Sequence, residues 1–315
     1  MKQLDYHEVE HQVTVSAPAA TIYRLIAEVE NWPLIFPPTV YVDYVERAGD
    51  SERIRIWATA NGAAKNWTSA RVLDPAGLRI EFRQEVSTPP VAGMGGTWLI
   101  EPISEAESRV RLRHDYRAVD NDQDNLSWIE EAIDSNSRSE LAALKERAEM
   151  VAGAADDLMM SFEDTVQIDG AAKDVYDFIN EAQHWKDRLP HVVRVALTED
   201  TPGLQILEMD TSTKDGSTHT TKSVRVCFPH SKIVYKQITL PALMALHTGS
   251  WHFADHSEGV AATSQHTVVI NAPNITRILG EDAGVPEARE FIRNALGTNS
   301  RATLGHAKEY AEGRR

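Results

Sequence analysis

The residues best suited to chemistry lie in one short run, Asn66-Trp67-Thr68-Ser69-Ala70-Arg71-Val72. Read as a β-strand, alternate side chains share a face, so Trp67, Ser69 and Arg71 point one way and Thr68, Ala70 and Val72 the other. One face then carries an aromatic plate, a hydroxyl and a fixed cation in a row. Lining a cavity, that face suits an oxygen-rich ligand that folds into rings. Facing water, it would leave Arg71 as an ordinary surface arginine. Arginine does not give up its proton in proteins, so Arg71 is no base; its use would be to hold negative charge developing on an oxygen. Replacing it by alanine is expected to remove activity and leave the fold intact. The histidines of the same half, His7, His11 and His114, are scattered. His11 alternates with valines on an expected strand and reads as structural. His7 and His11 share a strand face four residues apart, too far to chelate one ion, and no metal is expected.

The chain that must position these groups has 315 residues and a net charge of −15. That length suits two domains. The acidic balance argues against a nucleic-acid partner, which needs a basic face. No apolar run approaches the ~20 residues of a membrane span, and Met1 to Tyr6 lack the apolar core of a signal peptide. The single cysteine, Cys227, sits in an apolar strand pattern and reads as a buried small residue. A cytoplasmic protein is expected.

The chain repeats itself. At an offset of 153, Ser16 matches Asp169, Tyr23 matches Tyr176, Trp32 matches Trp185, Pro37 matches Pro190, Gly96 matches Gly249 and Trp98 matches Trp251. Near the end of each copy the offset becomes 163, pairing Ile129 with Ile292 and Asn136-Ser137-Arg138 with Asn299-Ser300-Arg301. The second copy therefore carries extra residues, placed around Asn271 to Pro286. A period this long means two domains, expected at 1–152 and 158–315 with Val151 to Asp157 as linker.

Each copy has one order of elements. A strand (Glu8 to Val15) leads to a helix whose N-cap is expected at Ser16 or Asp169, with the apolar stripe Ile22, Leu25, Ile26 and Val29. Strands follow at about 40–48, 52–59, 65–73, 78–86, 95–102 and 108–118, separated by turns such as Pro75-Ala76-Gly77. A long helix over about 125–150 closes the copy. This is an α+β arrangement, a curled antiparallel sheet with a long helix over its concave face.

That order resembles the helix-grip fold of START-type lipid-binding domains and Bet v 1 relatives. Trp32-Pro33-Leu34-Ile35-Phe36, the Trp67-x-Ser69-x-Arg71 strand, Met94-Gly95-Gly96-Thr97-Trp98 and Asn136-Ser137-Arg138 resemble the aromatase/cyclases of bacterial type II polyketide synthases. Two fused copies resemble their didomain subgroup, which serves pathways making reduced polyketides. The resemblance implies first-ring closure and dehydrative aromatisation of a poly-β-ketone tethered to an acyl carrier protein, alongside other synthase components and without a cofactor. It implies Arg71 and Ser69 as catalytic residues, with Trp32, Trp67, Met94, Trp98 and Asn136 against the substrate. A competing reading is a non-catalytic carrier of a lipid, quinone or aromatic metabolite, which would not need a cation deep in its pocket.

In the second copy the offset of 153 turns Trp67, Ser69 and Arg71 into Thr220, Lys222 and Val224, and Met94 into His247. Arg225 is adjacent, on the opposite face by parity. The second copy is therefore expected to be a scaffold that has lost its arginine, with Trp185, Lys222, His247 and Trp251 as the candidates for any pocket it retains.

Overall fold

The computed structural model describes residues 6–60, 62–153, 156–212 and 218–314. The chain forms two compact units, divided along the sequence between Asp156 and Asp157. Residues 154 and 155 of the expected linker lie outside the described residues.

In the first unit, β1 (His7–Val15) leads to α1 (Ala19–Ala27) and the single turn α2 (Trp32–Ile35). Six strands follow: β2 (Thr39–Ala48), β3 (Ser51–Ala60), β4 (Ala63–Asp74), β5 (Arg79–Gln84), β6 (Val91–Pro102) and β7 (Ser108–Ala118). They form one sheet in the order β1-β7-β6-β5-β4-β3-β2. The closing helix α3 (Gln123–Ala152) starts at Asp122, whose side chain accepts from the Asn125 amide. Its buried residues Leu126, Ile129, Ile133, Ser137, Leu141, Leu144 and Ala148 recur every three or four positions. That spacing forms one stripe, and the helix packs on β1 and β7.

The second unit repeats this plan. β8 (Met159–Ile168), α4 (Ala172–Asn180) and α5 (Trp185–Arg188) precede β9 (Val192–Thr201), β10 (Leu204–Ser212) and β11 (Thr218–Phe228). β12 (Lys232–Thr239), β13 (Met244–His256) and β14 (Gly259–Ile270) complete a sheet ordered β8-β14-β13-β12-β11-β10-β9. The extra residues form the short helix α6 (Ile275–Leu279) ahead of the long α7 (Val285–Glu312). Each unit is thus a helix-grip domain of the α+β class.

The expected caps at Ser16 and Asp169 are not formed. Pro18 and Ala171 occupy the N-cap positions, without a side-chain bond. The Ser16 and Asp169 amides instead donate to carboxylates on the long helices, Glu149 at 2.8 Å and Glu312 at 2.9 Å. The start of each first helix is fixed by the far end of its own unit.

Two glycines shape the interiors. A Cβ on Gly96 would fall 2.6 Å from the Phe82 ring, and one on Gly249 would fall 2.4 Å from the Tyr235 hydroxyl. With no side chain there, the ring of the next strand lies flat on the sheet. The apolar core of the first unit includes a large cluster around Trp98, Leu112 and Leu144, a smaller one around Tyr116, Ile129 and Ile133, and another around Val42, Ile54 and Ile56. The second unit has a matching large cluster around Trp251 and Leu304 and a smaller one around Val268 and Ile292. In both, a histidine on the last strand and a serine on the long helix stand between the large cluster and the smaller one.

Candidate functional site

Ser69 and Arg71 share the inner face of β4, both buried. Trp67, on the same face, packs with Trp32 against Val42, Ile54 and Ile56. Ser69 donates to the Arg83 carbonyl at 3.1 Å. Arg71 does not reach for open space. Its Nη2 donates to the last carbonyls of α1, Ile26 at 3.2 Å and Ala27 at 3.0 Å. Its guanidinium lies over the Trp32 ring, 5.3 Å from the centroid. The Trp32 indole N–H donates to the same Ile26 carbonyl at 3.0 Å. A cation suits the negative end of a helix, so Arg71 latches α1 and Trp32 to the sheet. Nη1 is 3.8 Å from a Glu52 carboxylate oxygen, and both side chains are almost wholly buried. Burial pulls the guanidinium below its ordinary range and Glu52 opposes this. Nε and Nη1 make no hydrogen bond. The expectation that alanine would replace Arg71 without loss of fold is therefore corrected: removing it would free the end of α1 and leave the buried Glu52 carboxylate to Arg47, 3.1 Å away.

The second unit has the same latch, which the sequence offset concealed. The Arg225 Nη2 donates to the Ile179 carbonyl at 2.6 Å, and its guanidinium lies over Trp185 at 5.3 Å. Arg71 faces Phe82 across the sheet, and Arg225 faces Tyr235. The matching residues of β11 are thus Thr221, Ser223 and Arg225, one position beyond the constant offset. Lys222 lies on the outer face with Thr220 and Val224, away from the interior. The second copy has kept its arginine. Gln205 stands in the place of Glu52, pairs with Arg225 across the sheet and donates to Glu199 at 2.8 Å, so the nearby carboxylate is held one side chain further away.

His114 on β7 was missed from sequence. It points inward beside Ser137, whose hydroxyl lies 3.4 Å from Nδ1, and its ring meets Phe82 edge-on at 5.6 Å. Burial, with His11 second, pushes its pKa down to about 4, so it is neutral at pH 7. Ser137 is the buried member of the Asn136-Ser137-Arg138 motif; Asn136 is exposed on the far side of α3, a correction to its expected place. His266 and Ser300 repeat the pair at 2.7 Å. This recurrence was a readable signal, at an offset of 152 rather than 153.

Around these shared groups the interiors differ. His266 Nδ1 lies 3.0 Å from both the Tyr235 hydroxyl and His247 Nε2, and its Nε2 lies 3.2 Å from Ser264. The first unit has Phe82, Met94 and Leu112 at those positions, with no such network. Trp32, Trp67, Phe82, Met94 and His114 are each partly exposed, whereas Trp185, Thr221, Tyr235, His247 and His266 are each buried. Trp98, by contrast, is buried against Phe36, as Trp251 is in its own core. At those five positions the first unit is more open to solvent than the second, whereas Ser69 is buried and its counterpart Ser223 is partly exposed.

A shallow depression of about 520 Å³ is lined by Glu8, Val9, Glu10, Gly96, Thr97, Arg113, His114 and Asp115. Glu10 is neutralised there by Arg111 and Arg113. No helix among the described residues is long and apolar enough to cross a membrane.

A curved sheet gripping a long helix, with aromatic walls, a buried arginine and a neutral histidine inside, defines a helix-grip pocket protein. The chain belongs to the polyketide cyclase/dehydrase and lipid transport family, which matches residues 6–149 and 159–312, once in each unit. It is 53% identical over 298 residues to the granaticin polyketide synthase bifunctional cyclase/dehydratase of Streptomyces virginiae, spanning 94% of this chain and 97% of that one. It is 44% identical over 311 residues to the actinorhodin polyketide synthase bifunctional cyclase/dehydratase of Streptomyces coelicolor, 96% of each. Among solved structures, the di-domain ARO/CYC BexL from the BE-7585A biosynthetic pathway is 64% identical, with a TM-score of 0.92 over 97% of this chain and 99% of that one. The di-domain ARO/CYC StfQ from the steffimycin pathway is 34% identical, with a TM-score of 0.88 over 97% and 99%.

Proposed function

We propose that this chain is a cytoplasmic polyketide cyclase/dehydratase that closes the first ring of a reduced, carrier-protein-bound poly-β-ketone and removes water to make it aromatic. The observation that carries this reading is the interior of the first unit, where neutral His114 meets Phe82 and where Trp32 and Trp67, each partly exposed, stand on the Arg71 side of the sheet. A CH2 between two carbonyls is already acidic, and ring closure needs the chain folded so that an enolate carbon meets a distant carbonyl. Flat aromatic walls limit how the chain bends, and that positioning is itself a large contribution to rate. Arg71 adds fixed positive charge, with Nε and Nη1 free of hydrogen bonds and Nη1 facing Glu52. Ser69 and Ser137 offer hydroxyls to carbonyl oxygens or to the water that leaves. In this reading the acyl carrier protein delivers the substrate, other type II synthase components supply and consume it, and the second unit mainly supports the first.

The test is reconstitution with a minimal synthase and a ketoreductase. The expected result is an aromatised first ring only when this protein is present, lost in His114→Ala. Identical products with and without the protein would reduce it to a carrier of hydrophobic ligands.

A further inference from the structure

His11 is a polar group of the first unit that neither the latch nor the His114–Ser137 pair uses. His11 points inward from β1 beside the β7 strand that carries His114. Its Nε2 lies 2.8 Å from Oδ1 of Asp134 on α3. Arg138 donates to both oxygens of Asp134, at 3.0 and 2.9 Å. Together Arg138 and His11 hold that carboxyl down to about 2. An ionised carboxylate accepts only, so Nε2 must carry the hydrogen, and in the neutral ring Nδ1 is then a bare lone pair. That Nδ1 is buried and has no partner. The His11 side chain is only 9% exposed. The groups facing this ring are Asp134 and Arg138 from α3 and His114 from β7; its strand neighbours on the same face are Val9 and Val13.

The second unit shows what the position needs for structure alone. His11 corresponds to Asp164, Asp134 to Gly297 and Arg138 to Arg301. Asp164 takes Arg301 at 2.8 Å and Arg293 at 3.0 Å, so strand and helix are fastened with no imidazole. Gly297 leaves the room for this, since a Cβ there would fall 2.1 Å from the Arg293 guanidinium. An ion pair suffices to fasten the second unit. The first unit instead has a carboxylate-backed imidazole whose other nitrogen is buried without a hydrogen-bond partner among the described residues.

We propose that His11, oriented by Asp134, is the catalytic base of the first unit; this rests on the cyclase/dehydratase reading above. His11 Nδ1 takes a proton from the CH2 between two carbonyls, leaving an enolate and an imidazolium whose Nε2–H stays on Asp134. The enolate carbon forms the C–C bond to the distant carbonyl carbon, whose oxygen becomes an alkoxide and takes the proton back from Nδ1. For dehydration the base removes the next α-proton, the C–O bond breaks, and the hydroxyl leaves as water with that proton. No oxidant or reductant is required.

The experiment compares full-length wild type, His11→Gln and the double variant His11→Asp/Asp134→Gly in the reconstituted pathway, with initial rates and thermal unfolding. Glutamine keeps an N–H for Asp134 but cannot take up a proton, and the double variant supplies the Asp164–Arg301 half of the second unit's latch, with Arg138 as the arginine. The expected result is folded protein in both, with the aromatised product formed about 10²–10⁴-fold more slowly and spontaneously cyclised products in its place. A rate within ten-fold of wild type in either variant would overturn the proposal. Loss of fold in both would also overturn it, assigning the pair to structure. A wild-type protein that makes no aromatised ring would instead bring down the cyclase reading, whereas active wild type with active His11→Gln would bring down His11 alone.

Discussion

The two units share a frame and differ in what fills it. Each keeps a buried arginine on a tryptophan, latched to the last carbonyls of the first helix, and each keeps a histidine–serine pair between the final strand and the long helix. Around that frame the first unit has Phe82, Met94 and Leu112, and the second has Tyr235, His247 and Ser264. Apolar side chains in the first interior make no directed bonds. Hydrogen-bonding ones tie the second interior together. A repeated set of polar residues is thus no sign by itself of a repeated activity, because the arginine and the histidine–serine pair also belong to the architecture. Exposure at Trp32, Trp67, Phe82, Met94 and His114 is what separates the two copies.

The largest effect expected from breaking this comparison is at the arginines. Arg71→Met leaves the buried Glu52 to Arg47, 3.1 Å away, so its cost should fall between the ~1.5–3 kcal/mol of a charged hydrogen bond and the ~3–5 kcal/mol of a stranded buried charge. Arg225→Met leaves the neutral Gln205, and the loss should be nearer the ~1.5–3 kcal/mol of a charged hydrogen bond. Denaturant unfolding of both variants checks this, and equal losses would show that Glu52 does not distinguish the latches.

A smaller effect is expected from exchanging the fillings. Tyr235→Phe/His247→Met gives the second unit the residues of the first and removes two hydrogen-bonding groups around His266. The cost should be about 1–3 kcal/mol, with pathway activity retained. The reverse exchange, Phe82→Tyr/Met94→His, should close the first interior and abolish most of the aromatised product while the protein stays folded. Full activity in that variant would mean that closure of the second interior is unrelated to those two positions.

The smallest effect expected is in pH dependence. Burial lowers His114 and His266 to about 4 and His247 to about 3, from an ordinary value of 6.5. The unfolded chain therefore binds more protons than the folded one from about pH 6.5 downward, and stability falls as pH falls through that window. His247→Met should flatten the decline in melting temperature between pH 7 and pH 4 relative to wild type. An unchanged slope would show that this ring does not stay neutral on folding.

The sequence alone determined much of this protein. The constant offset, carried by tryptophans and glycines, required two copies of one unit. Period-2 and period-3.6 patterning then gave the order of strands and helices and put Trp67, Ser69 and Arg71 on one face. These are local properties, legible because neighbours along the chain set them. The register of β11 was not legible in that way. The connection from Arg225 to Tyr235 is one residue shorter than that from Arg71 to Phe82, so the offset used for the flanking segments assigned β11 the wrong face. In a strand a slip of one residue exchanges inside for outside. This is why Val224 and Lys222 were expected where Arg225 and Ser223 stand. The rotation of α3 that buries Ser137 and exposes Asn136, and the meeting of His11 with Asp134, were decided likewise only by tertiary packing. So was the use of Arg71 as a helix latch, for its partners Ile26, Ala27 and Glu52 lie far from it along the chain, and only the folded sheet brings their oxygens to its guanidinium.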